Sequence, residues 1–197
     1  MLVIRGMTVH RQGPGPMNWP VKTIWCQRMA LLAGFMMILT AAPVVSAQPL
    51  PSLSAKTLAG KKVILPRELN QLSILIVGFS RGARESTQAW AKRLRHDSFV
   101  VSRVSVYEVV TLDGMPGFIR AGIVKQLTAG IPKMHHDQFL VVSESAEKLR
   151  MFLKTKGDDS AYVVLLTPNG EALWRERGFV TDDAYERLKR AVLRSGE

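Results

Sequence analysis

The chain has 197 residues, one cysteine and a formal net charge of +11. The roughly 150 residues after its N-terminal segment are enough for one globular domain with its own core, so the fold needs no disulfide or metal to stabilise it. The excess of basic residues favours anionic partners such as phospholipid headgroups, acidic proteins or nucleic acid.

Residues 1–47 have the composition of a secretory signal. They contain no acidic residue, and the apolar run MALLAGFMMILTAAPVVSA ends in Val45-Ser46-Ala47. A basic flank, an apolar core and small residues form the order that a signal peptidase recognises, so we expect cleavage after Ala47. The alternatives are an uncleaved anchor helix, residues 29–47, and a mitochondrial transit peptide. Translation from Met17 or Met29 would shorten the long basic flank.

In either secretory interpretation residues 48–197 are exported, which predicts a periplasmic or secreted domain. If residues 29–47 are not removed, they hold this domain at the inner membrane. The basic residues of the flank are Arg5, Arg11, Lys22 and Arg28, which leaves residues 48–197 with a net charge of +7. No ladder of alternating aromatic and basic residues occurs, so nucleic acid is not an expected partner. A membrane surface remains an expected partner.

The only cysteine, Cys26, lies before the apolar run and would leave with the signal. Disulfide exchange and thiol peroxidase chemistry both require a thiolate. We therefore expect the exported domain not to be a redox enzyme.

The first half of the domain is predicted to begin with a two-stranded hairpin around Ala59-Gly60. The apolar run LSILIVGF, residues 72–79, predicts a central strand covered on both faces. An amphipathic helix is predicted over residues 84–95, a second strand over 99–109 and a connection over 107–115. The expected inward face of that helix comprises Ala83, Thr87, Trp90, Ala91 and Leu94.

The second half is predicted to contain a helix from Pro116 to Gly130, a strand over residues 138–143 and a helix over 143–157. Ser143 or Ser145 is expected to cap that last helix and Gly157 to end it, with Leu149, Phe152 and Leu153 facing inward. A hairpin turning at Pro168-Asn169-Gly170 follows. The final helix is expected to begin after a Thr181 cap, with acids in its first turn and bases in its last.

This order, together with ILIVGFSRGA and residues 161–188, resembles the thioredoxin-like superfamily. The resemblance implies an α/β fold with a central mixed sheet flanked by helices, here with an N-terminal lead-in hairpin and one extra central helix. It also implies redox cysteines near Arg84 and Thr87, and a cis-proline where the chain has Asp159-Ser160-Ala161. Loss of both features indicates a scaffold without redox activity.

The segment AYVVLLTPNGEALWRERGFV is similar to a hairpin motif of the mitochondrial ATP synthase assembly factor family, whose members also have a thioredoxin-like fold. The matching residues are Tyr162, Val163, Leu165, Gly170, Trp174 and Gly178, and His136 with Phe139 resembles the H-x-x-Y of that family. Thr167 and Leu173 depart from the motif. The resemblance implies a chaperone-like role for a membrane complex, with a membrane protein as partner.

Other candidate sites are weaker. His135-His136-Asp137 are adjacent and cannot all face one ion without strain, so no metal site is expected. GFSRG has the letters of a hydrolase nucleophile motif, but that fold needs a longer sheet and a downstream Asp and His. Trp90 and Trp174 are expected to be packing residues. We expect no catalytic residue and no cofactor.

The predicted binding residues are Ser80, Arg81 and Arg84, at the turn between the central strand and its helix. Backbone amides at a helix start, beside two arginines, attract anions. The expected ligand is an acidic peptide, a carboxylate or a phospholipid headgroup. The sequence thus predicts an exported, non-enzymatic binding or assembly protein. The alternative is a peroxiredoxin- or thioredoxin-related oxidoreductase with a substituted active site, or one that uses a thiol of its partner.

Overall fold

The computed structural model describes residues 49–156 and 158–196. They belong to one compact unit, Val45–Glu197, and the predicted signal or anchor, residues 1–47, lies outside the described residues. Within residues 49–156 and 158–196, no helix is long and apolar enough to cross a bilayer. The unit contains a complete sheet and its own hydrophobic core, so it is expected to fold by itself.

The described part of the chain forms one seven-stranded sheet in the order β2-β1-β5-β4-β3-β6-β7. Strand β3 pairs in parallel with β4, and β4 in parallel with β5, whereas the other pairings are antiparallel. The sheet is therefore mixed, as predicted. Its strands are β1 Leu53–Thr57, β2 Lys62–Leu65, β3 Ser73–Gly78, β4 Ser105–Thr111, β5 Phe139–Val142, β6 Tyr162–Leu166 and β7 Ala172–Arg177.

Strand β3 lies at the centre because it is apolar on both faces. Leu75 and Val77 belong to one hydrophobic cluster, and Ile74 and Ile76 belong to a second cluster on the other face of the sheet. All six β3 residues are buried. The continuous apolar run in the sequence thus predicted the burial of this strand correctly, as expected for a strand that helices cover on both sides.

Helices cover both faces of the sheet. Their bounds are α1 Arg84–His96, α2 Ser98–Val101, α3 Gly117–Gly130, α4 Ala146–Leu153 and α5 Asp182–Arg194, and a 3-10 helix spans Lys133–Gln138. Helices α1 and α5 pack on the cluster that contains Ile74, and α4 packs on the cluster that contains Leu75. The Thr181 hydroxyl accepts a hydrogen bond from the Ala184 amide at 3.2 Å, which confirms the predicted cap of α5.

The predicted second strand over residues 99–109 is wrong at its start. Residues Ser98–Val101 form the short helix α2, because the Asp97 carboxylate accepts hydrogen bonds from the amides of Phe99 and Val100 at 2.9 and 3.4 Å. Strand β4 begins only at Ser105 and continues to Thr111, so the predicted connection over 107–115 is shorter than expected.

Helix α4 also differs from its prediction. Ser145 occupies the N-cap position with φ 68°, and no side chain caps the helix by a hydrogen bond. The helix ends at Leu153, where Lys154 adopts a left-handed conformation, so it stops before Gly157, which lies outside the described residues. Leu149 and Phe152 are buried as predicted, and Leu153 is half-buried.

Candidate functional site

The predicted binding residues lie in and directly after the connection between β3 and α1, where the Ser80 hydroxyl forms two hydrogen bonds. Its hydroxyl donates a hydrogen bond to Oδ1 of Asp159 at 2.5 Å and accepts one from the Ala83 amide at 3.2 Å. Asp159 precedes β6 and was not predicted as part of this site. We call Ser80–Arg84 together with Asp159 the α1 corner.

Gly82 explains how Asp159 comes so close. A Cβ atom added to Gly82 would lie 2.4 Å from Cγ and 2.7 Å from Cβ of Asp159, so no larger residue fits without a shift. Because Asp159 is exposed, its carboxylate remains at the surface of the corner. The three residues where the resemblance implies a cis-proline, Asp159-Ser160-Ala161, thus include a carboxylate, and the peptide bonds between Asp158 and Ala161 are trans.

Arg81 and Arg84 have exposed side chains, and neither forms an ion pair with any residue of the described ranges. The N-cap of α1 is Ala83, which is buried and offers no side-chain cap. Both arginine charges are therefore available to a ligand. Glu85 and Asp159 add two carboxylates nearby, so the corner presents both signs rather than the purely cationic surface that the sequence suggested.

The positions at which the redox cysteines were expected have different surroundings. Arg84 is exposed, whereas Thr87 is half-buried and its hydroxyl donates to the Arg84 carbonyl at 2.9 Å. The fully buried polar residue of this turn is Ser86. Its hydroxyl donates to the Ala83 carbonyl and accepts from the Ala161 amide, both at 2.9 Å.

Ser86 was not singled out from the sequence, although a signal was present. It follows Ala83 by three residues and precedes Trp90 by four, so it lies on the same inward helix face as those two residues. The prediction placed Thr87 on that face instead. Ser86 joins α1 directly to the segment before β6.

A groove of about 460 Å³ lies next to the corner, between the α4–β6 connection and β7. Tyr162 donates a hydrogen bond to Oδ1 of Asp158 at 2.9 Å, and Arg177 forms an ion pair with the other oxygen of the same carboxylate. Phe79, the residue before Ser80, meets the Tyr162 ring edge-on at a centroid distance of 5.7 Å. These contacts join the groove to the corner. Burial lowers the pKa of Arg175, which also lines the groove.

The residues of the hairpin motif have structural roles. Gly170 has φ +84° and packs on Pro66, where a Cβ atom would lie 2.8 Å from that ring. The Trp174 ring lies 6.0 Å from that of Trp90, whose indole nitrogen donates to the Gly178 carbonyl at 2.9 Å. The prediction that both tryptophans are packing residues is confirmed.

The histidine pair also has a structural explanation. His136 is buried, and its Nε2 donates to the Ile131 carbonyl at 2.9 Å, which fixes the 3-10 helix after α3. Across residues 49–156 and 158–196, no three His, Cys, Asp or Glu side chains are placed to hold a metal ion.

Comparisons with known proteins identify the fold and not the family. No family model matches the chain, and no curated protein sequence matches it. A proposed electron transfer protein from Aquifex aeolicus VF5 superposes with a TM-score of 0.54 at 16% identity, covering 74% of this chain and 93% of its own. A proposed thiol:disulfide interchange protein, DsbE, from Chlorobium tepidum superposes with a TM-score of 0.50 at 18% identity, with the same coverage of both chains, 74% and 93%.

A third similar structure is the pneumococcal exposed lipoprotein thioredoxin Etrx1 from Streptococcus pneumoniae strain TIGR4. It superposes with a TM-score of 0.49 at 13% identity, over 71% of this chain and 98% of its own. The fold is therefore thioredoxin-like, which confirms the predicted fold class. At such identities the likeness extends to the fold alone.

Proposed function

We propose that the chain is an exported, non-catalytic binding or assembly protein that engages an acidic segment of a protein partner at the α1 corner. The observation that carries the proposal is the pair of exposed arginines, Arg81 and Arg84, which have no ion-pair partner in the described part of the chain. They stand at the helix start where thioredoxin-like redox proteins hold their thiols. The sequence offers no cysteine after Cys26 to take over that chemistry.

Asp159 makes this corner selective. Its carboxylate accepts a hydrogen bond from Ser80 and packs beside Gly82, so its negative charge lies at the corner that a ligand approaches. A carboxylate of the partner gains by pairing with Arg81 or Arg84 but is repelled by Asp159. The corner therefore favours a partner whose acids reach the arginines and whose neighbouring groups can donate a hydrogen bond to Asp159.

The proposed partner is a membrane protein, and the proposed role is chaperone-like assembly of a membrane complex. The resemblance of residues 161–180 to the assembly-factor hairpin supports this role, as does the signal-like composition of residues 1–47. Together they support a domain that works beside a membrane after export. A pull-down from membranes with residues 48–197, analysed by mass spectrometry, would identify the partner.

Opposite charge changes at the corner test the proposal. We expect the Arg81→Ala/Arg84→Ala variant to bind the captured partner at least about tenfold more weakly and with less salt dependence, because charge-assisted contacts are lost. Asp159→Asn should bind more tightly, since the amide keeps the hydrogen bond from Ser80 and removes the repulsion. Titration calorimetry would measure both affinities, and melting temperatures should stay nearly unchanged because exposed arginines contribute little to stability.

The matched control is Lys92→Ala/Arg190→Ala, which removes the same charge from exposed positions on α1 and α5. We expect this variant to bind like the wild type. If it loses affinity while the Arg81/Arg84 variant does not, the interface lies on the basic α5 side and the proposal is wrong.

The alternative function is an oxidoreductase with a substituted active site that uses a thiol of its partner. It is favoured by one observation, that the Chlorobium tepidum protein of the same fold is described as a thiol:disulfide interchange protein. Incubating the captured partner with a peroxide or a disulfide substrate and dithiothreitol as reductant, with and without residues 48–197, separates the two functions. Turnover above that of the partner and reductant alone would support the enzyme.

A further inference from the structure

Helix α3, Gly117–Gly130, contains no buried residue although most of it is apolar. Its polar side chains are those of Arg120, Lys125, Gln126 and Thr128. The half-buried Ile123, Val124 and Leu127 rest on a third hydrophobic cluster, formed by Leu58, Leu112, Phe139 and Val141. The helix therefore packs on the domain through one narrow, half-buried face, and the rest of its apolar surface is exposed to water.

The apolar side chains that α3 and its flanks leave exposed are large. Phe118 is 79% exposed, Ile119 42% and Met115 38%, and Met134, after the helix, is 81% exposed. Phe118 and Met134 exceed every other large apolar side chain of the described ranges in exposure. Exposed apolar groups that cluster in one segment mark a contact surface rather than random surface composition.

The outward face of α3 has a distinct shape. Gly122, Lys125 and Ala129 recur with the helical period after Phe118, so they share its face, opposite Leu127. Apart from Phe118 and Lys125 this face carries only small residues. Such a helix can approach a flat surface closely along its length, with one aromatic ring and one cation projecting from it.

The charged residues of α3 and its flanks, residues 115–134, are all basic. No acidic residue occurs between Asp113 and Asp137, whereas Arg120, Lys125 and Lys133 are basic. None of these three forms an ion pair within the described ranges. Exposed apolar groups beside unpaired cations are the combination that interfacial helices present to anionic lipid.

We propose that residues 115–134, which we call the α3 surface, dock the domain on an anionic phospholipid bilayer. Phe118 and Met134 enter the interface below the headgroups, and Lys125 and Lys133 lie at the level of the phosphates. The absence of acids favours lipid over a second copy of the chain, because two such surfaces would repel each other. The site is separate from the α1 corner, so it adds to the function proposed above.

Flotation of residues 48–197 with vesicles tests this site without the apolar segment at residues 29–47. Vesicles of phosphatidylcholine with phosphatidylglycerol are compared with vesicles of phosphatidylcholine alone. We expect binding to the mixed vesicles only, falling with added salt. Phe118→Ser/Ile119→Ser should weaken the partition coefficient about tenfold or more because the apolar groups no longer insert, and Lys125→Glu/Lys133→Glu should weaken it by a similar factor.

Two control variants are matched to these changes. Leu193→Ser removes an exposed apolar side chain from α5, and Lys92→Glu/Arg190→Glu makes the same charge change on α1 and α5. Both should bind vesicles within about twofold of the wild type. Circular dichroism would verify that every variant is folded.

Three outcomes would overturn the proposal. The first is failure of the wild-type domain to float with either kind of vesicle. The second is equal binding by the wild type and both α3 variants. The third is a wild-type dimer that Phe118→Ser/Ile119→Ser converts to a monomer in sedimentation, which would make the α3 surface a contact between two copies. None of these results depends on whether the α1 corner binds a protein.

Discussion

Asp97 joins helices α2 and α5 through one carboxylate. It caps α2, accepts a hydrogen bond from the Tyr185 hydroxyl of α5 at 2.9 Å, and lies 3.6 Å from Nζ of Lys189. Burial alone would raise the pKa of Asp97, but the hydrogen bonds from Tyr185, Phe99 and Val100 and the charge of Lys189 outweigh it and leave the pKa below its ordinary value. Burial and Asp97 together raise the pKa of Tyr185.

We expect Asp97→Ala to lower the free energy of unfolding at pH 7 by about 2 kcal/mol, since a helix cap and a charged hydrogen bond are both lost. Because the pKa of Asp97 is lower in the folded state, its contribution is present above the ordinary value of 3.8 and disappears as the pH falls through the folded value. Urea unfolding between pH 7 and pH 2 would measure this loss.

The control for that measurement is Asp97→Asn, because asparagine is also a good N-cap but carries no charge. This variant should be less destabilised than Asp97→Ala and should lose the acid dependence that Asp97 contributes. If wild type and Asp97→Asn lose stability in parallel below pH 4, the dependence comes from other carboxylates.

At the scale of elements, α1 is tied to the hairpin by backbone and side-chain bonds. The Ser86 hydroxyl accepts a hydrogen bond from the Ala161 amide, and the Ala161 carbonyl accepts one from the Gly178 amide at 2.8 Å. The Trp90 indole nitrogen donates to the Gly178 carbonyl. These three hydrogen bonds therefore tie together helix α1, the segment before β6 and the end of β7. This arrangement keeps Asp159 in register with Ser80.

Removing the Ser86 hydroxyl breaks that link. We expect Ser86→Ala to cost about 1–3 kcal/mol of unfolding free energy, because the buried Ala161 amide loses its acceptor. The adjacent Thr87→Ala is the control. Among the described residues the Thr87 hydroxyl bonds only the Arg84 carbonyl of its own helix, so this variant should cost less than about 1 kcal/mol. Denaturant unfolding gives both values, and faster hydrogen exchange of the Ala161 amide in Ser86→Ala would locate the effect. Equal costs would contradict this assignment.

The elements that the sequence predicted best are those whose signal is local. The apolar run of β3, the Pro168-Asn169-Gly170 turn and the Thr181 cap each depend on neighbouring residues, and all three are confirmed. Helix α2 was missed because Val100 and Val101 favour a strand, and the Asp97 cap outweighs that preference.

The α1 corner could be predicted from the sequence only in part, because the whole fold is needed to assemble it. Ser80, Arg81 and Arg84 are neighbours in sequence, so the strand-to-helix pattern located them together. Asp159 reaches the corner from 79 residues away, and no periodicity predicts such a contact. The groove beside it was missed for the same reason, because it assembles from separate parts of the chain.

Restoring the thiols should not restore redox activity. In Arg84→Cys/Thr87→Cys the carboxylate of Asp159 would remain beside the helix start, and a nearby negative charge disfavours a thiolate. Thr87 is also half-buried, and the trans segment before β6 lacks the proline that faces the dithiol in thioredoxin-like redox proteins. We expect no reduction of a disulfide peptide above the wild-type background. Turnover close to that of a thioredoxin assayed in parallel would contradict this expectation.

Within residues 49–156 and 158–196, the order of the sheet makes β2 and β7 its two edge strands. Lys62 lies in β2, and Arg175, Glu176 and Arg177 follow one another in β7. A strand from another molecule could add to either edge only by desolvating these charges, which opposes fibril growth by strand addition. These charges therefore work against self-association of the domain through its sheet edges.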